Sequence, residues 1–393
     1  MMTENASANG RAMVSSIEAV VLANAAQCEQ QRTLTAEVVD ALWTSGLMHW
    51  MNPKAAQGGE PGLLEMLDVW QELARQDGSV GWIGIANFPS AAFAAAYLND
   101  EGFDEVFVKN EYRVTLGGQF APNGMAEKVE GGYTLSGAWN FGSGTGHSQY
   151  VVAGFIPLVN GEMIMDDHTG LPDMQVAVIP RDQITFTDGW HVQGLKGTGS
   201  YDYNVANLFV PESRVFPLFT REPHRGGHTF KLGVMPLTGA GHAAWALGVA
   251  RSQLDDVLKL AKDKTRMGDP TTLSHKLTFQ RNLAHHEGMW RAARAGVVEA
   301  FTRAEEAVKA GGELSVQMRL DMRLSATYAT EACREICQFV HLAAGTTAIR
   351  EGSRLERAFR DMYTGTQHAF INERTYTEAA AVMLGLIDDS TAL

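Results

Sequence analysis

The stretch GGYTLSGAWNFGSGTGHSQYVVAGF, residues 131–155, decides the fold class. Its first part alternates aromatic or β-branched residues with small and polar ones, and its end, QYVVAGF (149–155), is an apolar run. Alternation with a period of two, interrupted by glycine-rich turns, is typical of β-strands. The stretch therefore predicts paired strands in the middle of the chain.

The same pattern extends over about residues 111–215, where short alternating segments are separated by Gly, Pro, Asn and Asp. Within it, EGGY (130–133) predicts the turn of a hairpin. We expect a β domain that is built as a sandwich or barrel of hairpins.

Helical periodicity flanks this region on both sides. Residues 13–110 carry it, and it returns at about residue 228 in long segments that predict a helical bundle. Those segments are 241–264, 273–310, 313–343 and 353–384. The sequence therefore predicts an α+β protein of three domains. They are an N-terminal helical domain (1–110), a middle β domain (111–215) and a C-terminal four-helix bundle (216–393).

Composition argues against several classes of protein. The 393 residues carry a net charge of −13, which disfavours binding to nucleic acid or to anionic membranes. Three cysteines are too few for a disulfide framework and fit a reducing compartment, so we expect a cytoplasmic protein. The uncharged runs from Asp77 to Asp100 and from Lys231 to Arg251 are rich in small and polar residues. They predict buried helices rather than membrane spans.

Two glycine clusters, GSGTGH (142–147) and GLKGTGS (194–200), carry none of the common nucleotide or nucleophile motifs. Neither precedes a helical pattern, as G-x-G-x-x-G requires, and the chain has no P-loop with Gly-Lys-Ser/Thr. Ser143 and Ser200 also lack the G-x-S-x-G spacing of a nucleophile elbow. The clusters therefore predict loops with some other purpose.

Metal binding is disfavoured as well. His285, His286 and Glu287 are consecutive on a predicted helix, so their side chains point in different directions. Cys333 and Cys337 share a helical face, where two thiols alone make a poor zinc site and a buried helix face is the better interpretation. We expect no bound metal.

The order of helices, strands and helices resembles the acyl-CoA dehydrogenase fold. Residues 131–155 are similar to that family's central β segment, with its Gly-x-x-x-x-x-Gly-x-Trp pattern. Three further stretches carry the resemblance: LFVPESRVF (208–216), the exit strand; GAGHAAWALGVARSQLDDVL (239–258), the first bundle helix; and GSRLERAFRDMYTGTQHAF (352–370), the last active-site segment with its Arg-Asp pair at Arg360 and Asp361.

The dehydrogenases of this family abstract a proton with a glutamate on one of two segments. The corresponding stretches here, VMPLTGAGHAA (234–244) and TGTQHAF (364–370), contain no carboxylate, so α-proton abstraction lacks its acceptor. A dehydrogenase-like flavin oxidoreductase that acts on a thioester is therefore only an alternative hypothesis. A non-catalytic, ligand-binding member of the fold is the other.

Another branch of the family fits better. Trp139, Phe141, Ser143 and Gly144 form Trp-x-Phe-x-Ser-Gly, and His368 lies in the last segment; both features resemble the class D two-component flavin-dependent monooxygenases. The resemblance implies a homotetramer and a separate NAD(P)H:flavin reductase that supplies reduced FMN or FAD. It also implies that the flavin reacts with O2 to give a C4a-hydroperoxide, which hydroxylates a small phenolic or indolic substrate.

The resemblance implies two catalytic residues. Ser143 would place its hydroxyl near flavin N5, and His368 would deprotonate or bind a phenol or an indole N–H. Trp139 and Phe141 are two residues apart on a strand, so they are predicted to share one face. That face would lie against the flavin, with burial in the β core as the alternative.

Further candidates fall into two groups. Cofactor-binding candidates besides these are Gly144, Thr198, Ser200, Lys264 and Arg266, the last two as contacts to the flavin phosphate of a neighbouring subunit. Substrate-binding candidates are Asn87, Ser90, His242, Trp245 and Gln367. Turn formation, helix packing and solvated helix ends are the alternative explanations for these residues.

Overall fold

The computed structural model describes residues 10–166, 170–187 and 189–390, which form two compact units. Unit 1 contains the described residues up to Met66, together with Ile83–His191 and Lys196–Leu237. Unit 2 contains Leu67–Trp82, Val192–Leu195 and the described residues from Thr238 onward. The division into domains of 1–110, 111–215 and 216–393 remains a proposal.

Helices occupy the N-terminal part of the chain, as predicted. They are α1 (Gly10–Gln31), α2 (Ala36–Thr44), α3 (Leu47–Trp50), α4 (Leu63–Gln76), α5 (Gly78–Tyr97) and α6 (Asp100–Phe103). Thr35 caps α2 by accepting a hydrogen bond from the backbone N–H of Val38, and Asn99 caps α6 in the same way through Gly102. These side-chain caps satisfy N–H groups that have no partner inside the helix.

Eight strands form one sheet in the described part of unit 1. They are β1 (Leu116–Val129), β2 (Gly132–Gly142), β3 (Tyr150–Val159), β4 (Glu162–Met163), β5 (Gln175–Pro180), β6 (Thr185–Thr187), β7 (Tyr201–Pro211) and β8 (Val215–Pro217). Their order is β6-β7-β2-β1-β3-β5-β8, and β4 pairs with β3. β1 and β2 form the hairpin predicted at residues 130–133, whereas β1 and β3 pair in parallel.

An aromatic stack explains the Gly-x-Trp pattern of the central β segment. Trp139 is fully buried and stacks on Tyr203 with ring centroids 5.2 Å apart. A Cβ on Gly137 would lie 2.6 Å from the Trp139 ring, and a Cβ on Gly124 would lie 2.7 Å from it. Both positions therefore require glycine because the indole ring occupies the space above the backbone. Trp139 Nε1 donates to the Gly154 carbonyl oxygen at 2.9 Å, which satisfies its buried polar atom.

Helices return after β8, which confirms the predicted α+β fold class. They are α7 (Val234–Asp263), α8 (Leu277–Lys309), α9 (Val316–Ala344), α10 (Arg354–Gly365) and α11 (Arg374–Met383). The two uncharged runs fall in α5 and α7, whose residues there are almost all buried. Across the described ranges, no helix combines the length and the apolarity that a membrane crossing needs.

One helix prediction is wrong in its middle. The helical period over 353–384 does not form one helix, because the chain leaves helical geometry between Gly365 and Arg374. The Phe370 carbonyl accepts a hydrogen bond from Arg323 of α9 instead of a helical N–H. The Asn372 side chain then accepts from the N–H of Arg374 and starts α11. His368 therefore lies in a turn rather than on a helix.

The packing around Trp139 predicts that two glycine substitutions change the free energy of unfolding in opposite directions. Gly137→Ala would press a methyl group into the indole ring, at a cost of about 1–3 kcal/mol for overpacking. Gly296→Ala on exposed α8 meets no atom within 4 Å and should stabilise the protein by about 0.5–1 kcal/mol through helix propensity. Thermal unfolding of both variants measures this, and similar shifts for the two would contradict the packing explanation.

Candidate functional site

Three hydroxyl groups of unit 1 form a hydrogen-bonded chain, which we call the hydroxyl cluster: Ser143, Thr198 and Ser200. The Thr198 and Ser200 hydroxyl oxygens lie 2.6 Å apart, and Ser200 donates to Ser143 at 3.3 Å. Thr198 and Ser200 are buried, whereas Ser143 is partly exposed. The cluster therefore presents one supported hydroxyl group, that of Ser143, to solvent or to a ligand.

Backbone hydrogen bonds join the two glycine clusters that the sequence singled out. The Gly144 N–H donates to the Thr198 carbonyl at 3.1 Å, and the Gly146 N–H donates to the Gly199 carbonyl at 3.2 Å. The Thr145 hydroxyl adds a third bond, to the same Gly199 carbonyl. These bonds fix Ser143 relative to Thr198 and Ser200, so the predicted cofactor candidates of this group do come together.

Asn87 supports the first of these loops from α5. Its amide donates to the Leu116 carbonyl at 2.8 Å and to the Ser148 hydroxyl at 3.1 Å, and Ser148 donates to the Gly144 carbonyl. Gly144 has φ +72, and a Cβ there would lie 1.9 Å from the Asn87 side-chain oxygen. Asn87 is thus fully buried behind the loop, which favours a supporting role over substrate contact.

The prediction that Trp139 and Phe141 share one face of the strand is wrong. Trp139 has no exposed surface, whereas the Phe141 side chain is 59% exposed. Phe141 has φ +62, and the pairing of β2 with β7 shifts register between Trp139 and Gly142, which breaks the alternation. Trp139 is therefore part of the β core, which was the alternative to contact with the flavin. Phe141 presents an exposed ring that lies edge-on to Trp190, with ring centroids 6.2 Å apart.

Unit 2 brings together five side chains, which we call the histidine cluster: Trp82, His242, Arg323, His368 and Phe370. The two imidazole rings have centroids 4.4 Å apart. Trp82 lies edge-on to both rings, at 5.4 Å from His242 and 5.8 Å from His368, and Phe370 lies 5.9 Å from His242. Two of the predicted site residues, His242 and His368, are thus neighbours in an aromatic surrounding.

Arg323 holds the turn that carries His368. Its guanidinium carbon lies 3.5 Å from the centroid of the Phe370 ring, and its side chain donates to the Phe370 carbonyl at 2.7 Å. It also donates to the Thr375 hydroxyl at 3.3 Å. A buried guanidinium with bonded donors and an aromatic face beneath it is a favourable arrangement. Arg323 therefore fixes the backbone two residues from His368.

Both histidines of the cluster are neutral at pH 7. Burial lowers the pKa of His242 well below 6.5, and the neighbouring His368 lowers it further. His368 is exposed as a whole residue, yet the protein packed around its ring and the Arg323 charge lower its pKa to about 4. A neutral imidazole carries one N–H donor and one lone pair, so each ring can donate at one nitrogen and accept at the other.

The other substrate candidates support the cluster, bond within their own helix or lie in a turn. Trp245 lies edge-on to Trp82, with centroids 5.1 Å apart, and donates to the Gly78 carbonyl at 2.9 Å. Trp245 is buried, so it packs against Trp82 and supports its position. The Ser90 hydroxyl donates to the Ala86 carbonyl of its own helix. This favours helix packing, the alternative explanation for Ser90, over substrate contact. Gln367 is exposed in the turn after α10.

The two predicted phosphate contacts lie just beyond α7. The Lys264 ammonium donates to the Thr347 hydroxyl at 2.8 Å, and Arg266 is exposed. Their proposed contact to a neighbouring subunit remains a prediction.

The Arg-Asp pair of the last segment holds a loop in unit 2. Asp361 accepts from the Leu195 N–H at 2.6 Å, and Arg360 donates to the Gln193 carbonyl at 2.7 Å. A Cβ on Gly194 would lie 2.1 Å from the Arg360 carbonyl oxygen. The pair and this glycine therefore serve to dock residues 192–195 on α10.

No group of three or more His, Cys, Asp or Glu side chains in the described ranges could hold a metal ion. Burial raises the thiol pKa of both Cys333 and Cys337, so both stay protonated at neutral pH. A protonated, buried thiol is a poor metal ligand.

Sequence reasoning missed Trp82, Arg323 and Phe370 as members of the cluster. Arg323 had a usable signal, because it lies among the buried positions of α9 next to Met322 and Ala326, and a buried arginine needs a defined partner. Trp82 lies in the uncharged run from Asp77 to Asp100, which the sequence marked only as a buried helix.

Known proteins support the fold and the class. Residues 240–373 match the family model for the acyl-CoA dehydrogenase C-terminal domain. Indole-3-acetate monooxygenase of Pseudomonas putida is 30% identical over 91% of this chain and 89% of its own. The flavin-dependent monooxygenase oxygenase subunit HsaA of Rhodococcus jostii is 26% identical, over 92% of this chain and 94% of its own. The structure of XiaF from Streptomyces in complex with FADH2 and glycerol superposes with a TM-score of 0.89 at 23% identity, over 98% of both chains.

The fold is therefore that of the acyl-CoA dehydrogenases, as predicted. Within that fold, the chain belongs to the flavin-dependent monooxygenases, enzymes that use reduced flavin and O2. The relatives thus support the class of enzyme that the sequence predicted.

The close approach of Gly144 to Asn87 gives a matched pair of variants. Gly144→Ala and Gly161→Ala both place an alanine at positive φ, which costs about 1–2 kcal/mol. Only Gly144→Ala also meets a neighbour, so it should lose a further 1–3 kcal/mol or so and displace Ser143. Thermal unfolding and titration with reduced flavin measure these effects, and equal losses of stability for the two variants would contradict the contact.

Proposed function

We propose that this protein is the oxygenase component of a two-component system that hydroxylates a small phenolic or indolic compound. A separate NAD(P)H:flavin reductase supplies the reduced flavin, FMN or FAD. The names of two relatives, an indole-3-acetate monooxygenase and an oxygenase subunit, support this assignment. The lack of a G-x-G-x-x-G motif between strand and helix supports a separate source of reduced flavin.

The observation that carries the proposal is the histidine cluster. Where thioester dehydrogenases carry a glutamate base, this chain has two neutral imidazoles, His242 and His368, against Trp82 and Phe370. Aromatic rings and neutral imidazoles suit a flat aromatic ligand that has one O–H or N–H group. A thioester that needs α-proton abstraction finds no carboxylate in this cluster.

The residues of unit 1 fit a flavin. Its flat tricyclic ring needs an aromatic contact and hydrogen-bond partners at its polar edge, and Phe141 and the hydroxyl cluster offer these. When bound, the reduced flavin supplies two electrons, with which one atom of O2 enters the substrate and the other leaves as water. Ser143 is proposed as the catalytic hydroxyl that holds the polar edge, and Thr198 and Ser200 orient it.

The assembly is proposed to be a homotetramer in which Lys264 and Arg266 contact the flavin phosphate of a neighbouring subunit. Exposed apolar side chains in unit 2 support self-association, since large exposed apolar surfaces usually mark interfaces. They include Leu277, Leu342, Ile349, Met383, Leu384 and Leu386. A cytoplasmic location is proposed from the three free cysteines.

Two measurements test the proposed function. Under anaerobic conditions the protein should bind reduced flavin more tightly than oxidised flavin. With 18O2 and indole-3-acetate or a simple phenol as the probe, one 18O atom should enter the product. Absence of labelled product from every probe would reject the proposal, and bleaching of bound oxidised flavin by an acyl-CoA would favour the dehydrogenase alternative.

Ser136, on the strand β2 that precedes Ser143, is a matched control for it. Ser143→Ala should lower the product formed per reduced flavin about 10- to 100-fold, because it removes a hydrogen bond at a site where charge develops. Ser136→Ala likewise removes one hydroxyl group, but that hydroxyl bonds Asn207, so product yield should not change. An equal response of the two variants would remove Ser143 from the mechanism.

A further inference from the structure

We infer that His242 is the residue that accepts the proton of the substrate, and that His368 is a hydrogen-bond donor to the same substrate. This inference rests on the proposed function and assigns the roles of its two histidines. It reverses the order of importance that the resemblance implied, in which His368 was the catalytic residue that deprotonates or binds the substrate and His242 was only a substrate contact.

The hydrogen bond of His242 to its own helix fixes its tautomer. Its Nδ1 lies 2.8 Å from the carbonyl oxygen of Thr238, one turn earlier on α7. A carbonyl oxygen only accepts hydrogen bonds, so Nδ1 carries the proton. In the neutral ring, Nε2 therefore holds the lone pair. His242 is only 6% exposed, and its Nε2 has no hydrogen-bond partner among the described residues.

The hydrogen bond of His368 fixes the opposite tautomer. The backbone N–H of Phe370 donates to His368 Nδ1 at 3.2 Å. Because Nδ1 accepts, the neutral ring carries its proton on Nε2. His368 can therefore donate from Nε2, but the lone pair that a base would need is already occupied at Nδ1. Arg323 keeps this arrangement in place by binding the Phe370 carbonyl.

The charges around the two rings agree with this assignment. The groups whose charge acts on His242 are His368 and Arg323, and Arg323 is also the charge that acts on His368. Arg323 stays positive at neutral pH, although burial lowers its pKa to about 10. This nearby positive charge disfavours imidazolium in the resting protein and would stabilise an anion that forms on the substrate.

A weak base suits this reaction. When oxygen adds to the ring of a phenol or an indole, the ring becomes electron-poor and its O–H or N–H group becomes strongly acidic. The O–H or N–H bond then breaks, its electron pair stays with the substrate, and the proton forms a new N–H bond at His242 Nε2. Proton transfer at that stage needs an available lone pair more than a high pKa.

A pair of ligands isolates the lone pair of His242 without flavin or O2. Indole-3-acetate has a ring N–H that can only donate, and its 1-methyl derivative has none. Calorimetric titration of the wild-type protein should show about tenfold or more tighter binding of the N–H compound. His242→Phe should abolish this preference, whereas His368→Gln should keep it. His368 contributes a hydrogen-bond donor, and the indole nitrogen of neither probe can accept a hydrogen bond.

The same binding experiment contains the results that would overturn the inference. A preference that survives His242→Phe and disappears in His368→Gln would make His368 the acceptor. Equal binding of the two probes by the wild type, or binding of neither, would also overturn it. His242→Gln guards against misfolding of the phenylalanine variant: its side-chain oxygen still accepts, so it should retain most of the preference.

Turnover with reduced flavin and O2 separates accepting a hydrogen bond from accepting a proton. His242→Gln should bind the N–H probe but form about 100-fold less hydroxylated product, with reduced flavin oxidised unproductively. His368→Gln keeps a donor and should lose about tenfold or less. Full turnover by His242→Gln would refute the inference. A wild-type protein that forms no product but keeps the binding preference would instead refute the proposed function.

Discussion

The Arg323 guanidinium, packed on the Phe370 ring, is the interaction on which the histidine cluster depends. A buried cation costs several kcal/mol unless its donors are bonded, and here they bond the Phe370 carbonyl and the Thr375 hydroxyl. The bond to the carbonyl lies in the turn that carries His368, where the chain has left helical geometry. Burial is the main cause of the lowered pKa of both imidazoles, and the Arg323 charge lowers both further, so one side chain contributes to the geometry and to the protonation state of the cluster.

A different constraint acts in unit 1. Its backbone lies so close to large side chains at some positions that only glycine, which has no Cβ atom, fits there. Gly137 lies under the Trp139 ring, and Gly144 lies against Asn87. These close approaches hold the central strand and the loop of Ser143 in fixed positions. Unit 1 therefore supplies a rigid hydroxyl and an exposed phenylalanine ring, which are proposed to serve the flavin. Unit 2 supplies the neutral imidazoles that are proposed to serve the substrate.

The sequence was sufficient for the α+β class, the order of the elements and the class of enzyme, because periodicity and the Trp-x-Phe-x-Ser-Gly motif are local. Prediction from the sequence failed where one backbone angle or a side chain distant in sequence determines the local structure. The positive φ of Phe141 separates it from Trp139, and the helix predicted over 353–384 ends at a turn whose Phe370 carbonyl bonds Arg323 of α9. The histidine cluster draws on segments near residues 82, 242, 323 and 370, so periodicity could not assemble it. The tautomers depend on two single hydrogen bonds that no residue pattern encodes.

The proposed roles require that the two imidazoles are neutral and carry their protons on opposite nitrogens. Neutron diffraction from a deuterium-exchanged crystal at neutral pH observes these protons directly. We predict deuterium on Nδ1 of His242 and on Nε2 of His368, with Nε2 of His242 bare. Deuterium on Nε2 of His242, or on both nitrogens of either ring, would contradict the account.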